Sequence, residues 1–241
     1  KGAKRVAKLI ADAIPENVPE LAKYLKGDET FTDIQGHWAE DVIKTLAEND
    51  KVSGVGDGKF NPDGTVTRAE FLKMAMDSLG IVGHAYRDGE CLDATNDDWY
   101  CYYLQGALDK DIIPEEMIED CDFTNVTKTL KESTEKEKAV RANVNVYTGK
   151  FYGDKPITRE EMAVIATRCK NYKMRNWRDW DNERRIPVFS FKDSDEIDEK
   201  YISYVVHAYN LKYIDGMEDG RFAPKENLTR AQAAVVMNNL K

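Results

Sequence analysis

Histidine is scarce in this chain: His37, His84 and His207 are its whole complement, and none stands in a nucleophile, metal or phosphate motif. The cysteines Cys91, Cys101, Cys121 and Cys169 form no Cys-x-x-Cys pair and have no histidine at ligand spacing, so the pattern of a zinc site is missing. An excess of basic residues is missing too. Lys and Arg number 35 against 44 Asp and Glu, a formal net charge of −9, and no basic stripe offers itself to a phosphate backbone. Nucleic acid is therefore excluded as a partner, and an anionic ligand would have to be met by local charge. No apolar run approaches the length of a bilayer span. With Lys1 first and no signal peptide ahead of it, a mature or trimmed chain is expected, and export has to be read from elsewhere.

The 241 residues present are enough to bury a core without staples. All the cysteines fall between 91 and 169, which reads as a local disulfide framework in an oxidising compartment. Their pairing stays open, and free buried thiols are the alternative, since cysteine packs as a small hydrophobe.

What the chain does have is a repeat. Thr67-Arg68-Ala69-Glu70, Thr158-Arg159-Glu160-Glu161 and Thr229-Arg230-Ala231-Gln232 are copies of one tetrad. Each is followed by apolar residues at helical spacing: Phe71, Met74, Ala75 and Leu79; Met162, Ile165 and Ala166; Ala233, Val236 and Met237. The first copy opens with Phe31-Thr32-Asp33 and His37-Trp38-Ala39, then a helix bearing Val42, Ile43 and Leu46. A turn-rich link, Gly56-Asp57-Gly58-Lys59-Phe60-Asn61-Pro62, stops that helix before the next. The third copy has Phe191-Lys192-Asp193, Tyr201 in the place of the tryptophan, and the link Glu218-Asp219-Gly220-Arg221-Phe222-Ala223-Pro224. In the second copy Tyr86-Arg87-Asp88 reads as the opening and Trp99 as the helix start. Asp88 to Thr158 is about twice the distance from Asp33 to Thr67, so an insertion at about 115–150 is expected to replace the link. Val140, Ala142, Val144 and Val146 alternate within it as in a short strand.

These motifs resemble the S-layer homology family: an opening Phe-x-Asp, a His-Trp-Ala helix start, a glycine-rich link ending in Phe-x-Pro, and the Thr-Arg-Ala-Glu tetrad. The resemblance covers roughly residues 31–241. It implies an all-α protein of three helix-loop-helix repeats in a pseudo-threefold helical bundle, with a small β excursion in the second. The expected segments are an N-terminal helical stretch at 1–28, then repeats at 29–82, 83–175 and 176–241. It also implies a non-enzymatic, secreted module with no cofactor. Such a module anchors an exported protein to the cell wall by gripping pyruvylated polysaccharide in grooves between repeats, where other surface-layer subunits are further candidate partners.

Within the tetrad, Thr with Glu or Gln three residues on is a capping box, which accounts for Thr67, Glu70, Thr158, Glu161, Thr229 and Gln232 structurally. It does not account for the arginine, a cation at the positive end of the helix dipole. Arg68, Arg159 and Arg230 therefore point to an external anion: helix N-termini favour anions, and the guanidinium fork suits a carboxylate such as a pyruvate ketal. The alternative is an inter-repeat strut to an Asp or Glu. With the caps intact, the fold is expected to survive loss of the arginines. Asp33, Asp88 and Asp193 read either as sugar hydroxyl acceptors or as helix caps. Trp38, Trp99 and Tyr201 read either as stacking platforms for sugar faces or as core aromatics.

Among rivals, a calcium loop over Asn61, Asp63, Gly64, Val66 and Glu70 fails because Lys59 takes the first ligand position and the third copy loses the ligand set. Carboxylates are plentiful, yet no pair stands out as a glycosidase couple. A protein-binding scaffold, with Trp177 and Trp180 exposed, is the remaining class. The sequons at Asn125 and Asn227 carry no weight.

Overall fold

In a computed structural model, the described residues are 31–49, 51–87, 93–120, 149–174 and 191–240. The expected helical stretch at 1–28, the alternation at Val140–Val146, Asp88, Cys91, Cys121, Trp177 and Trp180 lie outside them. The chain divides into two compact units, 1–61 and 62–241. Among the described residues there are six α-helices: α1 (Glu40–Glu48), α2 (Arg68–Ser78), α3 (Cys101–Asp109), α4 (Arg159–Met174), α5 (Glu199–Asn210) and α6 (Arg230–Asn239). Extended backbone pairs only as isolated bridges among these residues, so the all-α expectation holds there.

In the first unit, α1 turns Ile43, Leu46 and Ala47 inward at helical spacing. The rings of Phe31 and Phe60 meet at 5.3 Å between centroids. Gly54 lies so close that a Cβ there would fall 2.6 Å from the Phe31 ring; Gly216 stands in the same relation to Phe191, at 2.5 Å. Both links need glycine for that approach.

In the second unit, α4 is the central element. Its residues 162 to 166 are consecutively buried, so it lacks the polar face of a surface helix. It packs against α2 and α5, and α2 also touches α3 and α6. Apolar burial drives this assembly, and the largest core cluster runs from Val66 to Leu240.

The residues just ahead of the three tetrads meet in a closed cycle. Val66 N–H donates to Leu228 O at 3.0 Å, Leu228 N–H to Ile157 O at 2.9 Å, and Ile157 N–H to Val66 O at 2.9 Å. This is the local pseudo-threefold relation that the repeat implies. The capping boxes form as well: Thr67 Oγ1 accepts from Glu70 N–H at 3.2 Å, Thr158 Oγ1 from Glu161 N–H at 3.4 Å and Thr229 Oγ1 from Gln232 N–H at 3.2 Å. Thr229→Ala is accordingly expected to cost about 1 kcal/mol, seen as a lower urea midpoint at unchanged slope.

Two expectations are corrected. Cys101 and Cys169 are free thiols, so the disulfide reading fails for both; Cys169 is sealed in the core, where burial pushes its thiol far up. The insertion also leaves the second link in place. Glu119 and Lys150 exchange backbone bonds of 2.9 and 2.7 Å, and Lys150-Phe151-Tyr152-Gly153 follows as Lys59-Phe60-Asn61-Pro62 does in the first copy. Only the tip of the turn is replaced, because one bridge suffices to close its base.

Candidate functional site

The second helix of every copy begins against a link from another copy. Arg68 N–H donates to Lys155 O at 2.9 Å and Ala69 N–H to Gly153 O at 2.9 Å. Arg159 and Glu160 donate in the same way to Glu226 O and Pro224 O at 3.0 and 3.1 Å, and Arg230 and Ala231 to Gly64 O and Pro62 O at 2.8 and 2.9 Å. With the threonine hydroxyl on the third amide, each helix start is filled by oxygens. These amides therefore offer no anion site. The facing carbonyls also bring negative dipole ends to the place where arginine stands, which removes the electrostatic oddity that the sequence presented.

Arg68 is 1% exposed. Its Nη1 donates to Phe151 O at 2.8 Å and its Nη2 to Glu119 Oε1 at 2.6 Å, while Glu161 takes both Nε, at 3.3 Å, and Nη2. Burial pulls the guanidinium down, and the two carboxylates outweigh it and hold it above its ordinary value. Arg68 is thus an inter-repeat strut, and the sequence-based expectation that it can be removed without loss of fold is reversed.

Arg159 follows the same path with different partners. Its Nε donates to Phe222 O at 2.7 Å, its Nη2 to Asp215 O at 3.0 Å, and its plane lies 5.0 Å from the Phe222 ring centroid. The position that gives Arg68 its Glu161 is Gln232 in the next copy. The turn position that gives it Glu119 is Met217, whose N–H bonds Arg221 O at 2.7 Å as Glu119 N–H bonds Lys150 O. Both carboxylates therefore have uncharged counterparts here. Glu226 and Asp193 are near but engaged, Glu226 with Arg221 at 3.0 Å and Asp193 with the link amides. Burial holds Arg159 below its ordinary value, only partly offset by those two acids. Among the described residues nothing accepts from Nη1, which keeps contact with solvent. Lys225 bridges Glu160 at 2.6 Å and Asp198 at 2.7 Å. Burial raises the Glu160 carboxyl and the lysine offsets part of that rise. Arg230 is half-buried at the start of α6.

The aspartates are clamps. Asp33 accepts Phe60 and Asn61 N–H at 2.8 and 2.7 Å, and Asp193 accepts Phe222 and Ala223 N–H, both at 2.8 Å. In the second copy the same clamp is Asp93, on Phe151 and Tyr152 N–H at 2.8 and 2.6 Å, which corrects the place given to Asp88. Burial raises Asp33, but the two amides outweigh it and set its carboxyl below the usual range. Each clamp holds the link residue after the phenylalanine at positive φ: Asn61 at 58°, Tyr152 at 52° and Ala223 at 58°.

Trp38 and Trp99 are exposed, at 65% and 53%, so neither is a core aromatic. Tyr201 does not share their place. Lys51, Ile112 and Tyr213 N–H donate to Leu46, Ala107 and Ala208 O, and that register makes Tyr201 the counterpart of Ala39 and Tyr100, with Lys200 at the tryptophan position. Tyr201 is buried and its hydroxyl donates to Glu116 O at 3.0 Å. Sequence reasoning passed over Glu119, Lys155, Asp93 and Lys225; an aspartate six residues before Trp99, against five from Asp33 to Trp38, was the signal that pointed to Asp93. Among the described residues no group of three or more His, Cys, Asp or Glu stands at metal-binding distance, and no helix is long and apolar enough to cross a membrane.

A family model described as the S-layer homology domain matches residues 30–72, 144–163 and 190–234. The chain belongs to the S-layer homology family. The middle match begins inside the insertion and covers the retained link and tetrad, in keeping with their geometry. S-layer homology domains hold exported proteins at the cell surface; they bind and anchor and are not themselves catalytic, which makes this chain an extracellular module. It is similar to an amylopullulanase of Thermoanaerobacterium thermosulfurigenes, 33% identical over 88% of this chain and 10% of the relative. It is also similar to the exoglucanase XynX of Acetivibrio thermocellus, 34% identical over 90% of this chain and 16% of the relative. An endoglucanase of a Bacillus species is 29% identical over 87% of this chain and 18% of its own length. The chain thus spans under a fifth of each of these relatives.

Proposed function

We propose that this S-layer homology chain anchors an exported protein by binding an acidic, pyruvylated wall polysaccharide, with the ketal carboxylate received by Arg159 between the second and third copies. One observation carries this reading: among the described residues the Arg159 guanidinium holds no carboxylate, although its counterpart Arg68 holds two. A buried, fork-shaped cation with a free N–H is suited to a planar anion. Trp99 is exposed in the same unit, as a sugar-stacking face requires, and in the first unit Trp38 is exposed as well. Arg230 completes the set as a secondary contact. Asp193 serves the site indirectly by shaping the third link, as Asp33 and Asp93 shape the first and second.

Arg159→Ala is expected to weaken binding to purified native walls roughly tenfold to a hundredfold, the loss of a charged hydrogen bond of about 1.5–3 kcal/mol. Ketal-stripped walls should show the same loss with the parent protein, and rising salt should weaken the native interaction. Arg159→Lys, which keeps the charge without the fork, separates recognition from packing. Equal sedimentation of parent and both variants with native walls, their melting curves being unchanged, would reject the reading.

A further inference from the structure

The junction between the first and second copies has the same frame but already contains an anion. Glu119 lies at the base of the insertion, where its backbone closes the turn with Lys150. Its side chain reaches Arg68 Nη2 at 2.6 Å and Lys155 Nζ at 2.9 Å through the same oxygen. A carboxylate held by an arginine and a lysine is what recognition of a ketal carboxylate would look like. The corresponding turn in the third copy carries Met217, which gives Arg159 no carboxylate from that position. Glu161 is a different kind of partner, since it also caps Thr158 N–H at 3.1 Å and belongs to the helix start. Glu119 has no such second duty, and 37% of its side chain faces solvent.

We infer that Glu119 is a built-in substitute for the ligand's carboxylate and itself closes the first junction to acidic glycan. The inference rests on the reading of Arg159 as an anion receptor. It makes Glu119 a specificity-determining residue: it decides which junction accepts ligand, and removing it converts a closed junction into an open one. The cations needed are already in place, Arg68 fixed by Phe151 O and Glu161, and Lys155 half-exposed alongside.

The test is titration calorimetry of the full chain with a 4,6-O-pyruvylated methyl glycoside. Glu119→Ala is expected to bind one more equivalent than the parent, with the added site within about tenfold of the parental affinity. Combining it with Lys155→Ala should remove the added equivalent, and combining it with Arg159→Ala should remove the parental one but leave the added one. Glu119→Ser, smaller and still polar, repeats the measurement should the alanine protein melt early. An unchanged stoichiometry in both Glu119 variants, while Arg159→Ala still abolishes the parental site, overturns this inference alone. Absence of probe binding in every protein, or parental binding indifferent to Arg159→Ala, overturns the underlying reading and this inference with it.

Discussion

Arg68→Ala should lower the melting temperature by on the order of 10 °C in scanning calorimetry, without any ligand present. The change deletes a cation that is 1% exposed and leaves Glu161, itself 7% exposed at the side chain, without its counter-ion. Breaking a buried pair from one side costs about 3–5 kcal/mol, and in a chain of this size each kcal/mol moves the midpoint by about 2–4 °C. The loss lies in the orphaned carboxylate more than in the missing bonds. Arg68→Met with Glu161→Gln should therefore recover most of it, because glutamine keeps the cap, as Gln232 does at the third helix start. A double variant no more stable than the single one would locate the cost elsewhere, in the bonds to Phe151 O and Glu119.

The second large effect is expected at Asp93. Its carboxylate is the acceptor for two consecutive link amides, and Asp93→Ala strips both at once. Roughly 1–3 kcal/mol for each amide left without an acceptor gives a loss of about 2–6 kcal/mol. The positive φ of Tyr152 then loses the clamp and rests on the Lys155 N–H bond to Tyr152 O at 2.9 Å and on the side-chain contacts of Tyr152. Asp93→Asn keeps one acceptor oxygen and should lose about half as much. Asp88→Asn leaves both amide bonds of the clamp in place. Urea denaturation of the three proteins decides the matter: equal midpoints for the Asp88 and Asp93 variants would refute the clamp.

The parts of this protein legible in its sequence are those set by short-range chemistry. A threonine followed at three residues by Glu or Gln declares a helix start, and all three did so where expected. The arginine beside it was legible as a residue needing an anion, but its partners were not, since Glu161 and Phe151 are brought to Arg68 only by the fold. The helix dipole misleads for the same reason: a single helix does not show the carbonyls of Lys155 and Gly153 that the fold sets against it. The second clamp was hidden because Tyr86-Arg87-Asp88 imitates the opening motif, whereas the residue two before Asp93 is Cys91 rather than an aromatic. The link at Lys150-Phe151 was hidden by distance, since an insertion that preserves geometry still destroys spacing.

The cycle through Val66, Ile157 and Leu228 has one more implication. A linear array of repeats has a first and a last member, each with an unsatisfied face that a special terminal unit must cover. Here each of the three backbones gives one proton and takes one, so the chain of donors bites its own tail and no member is terminal. At these positions the three copies satisfy one another, and any one of them is free to acquire a long excursion at its turn as long as its place in the circle is kept.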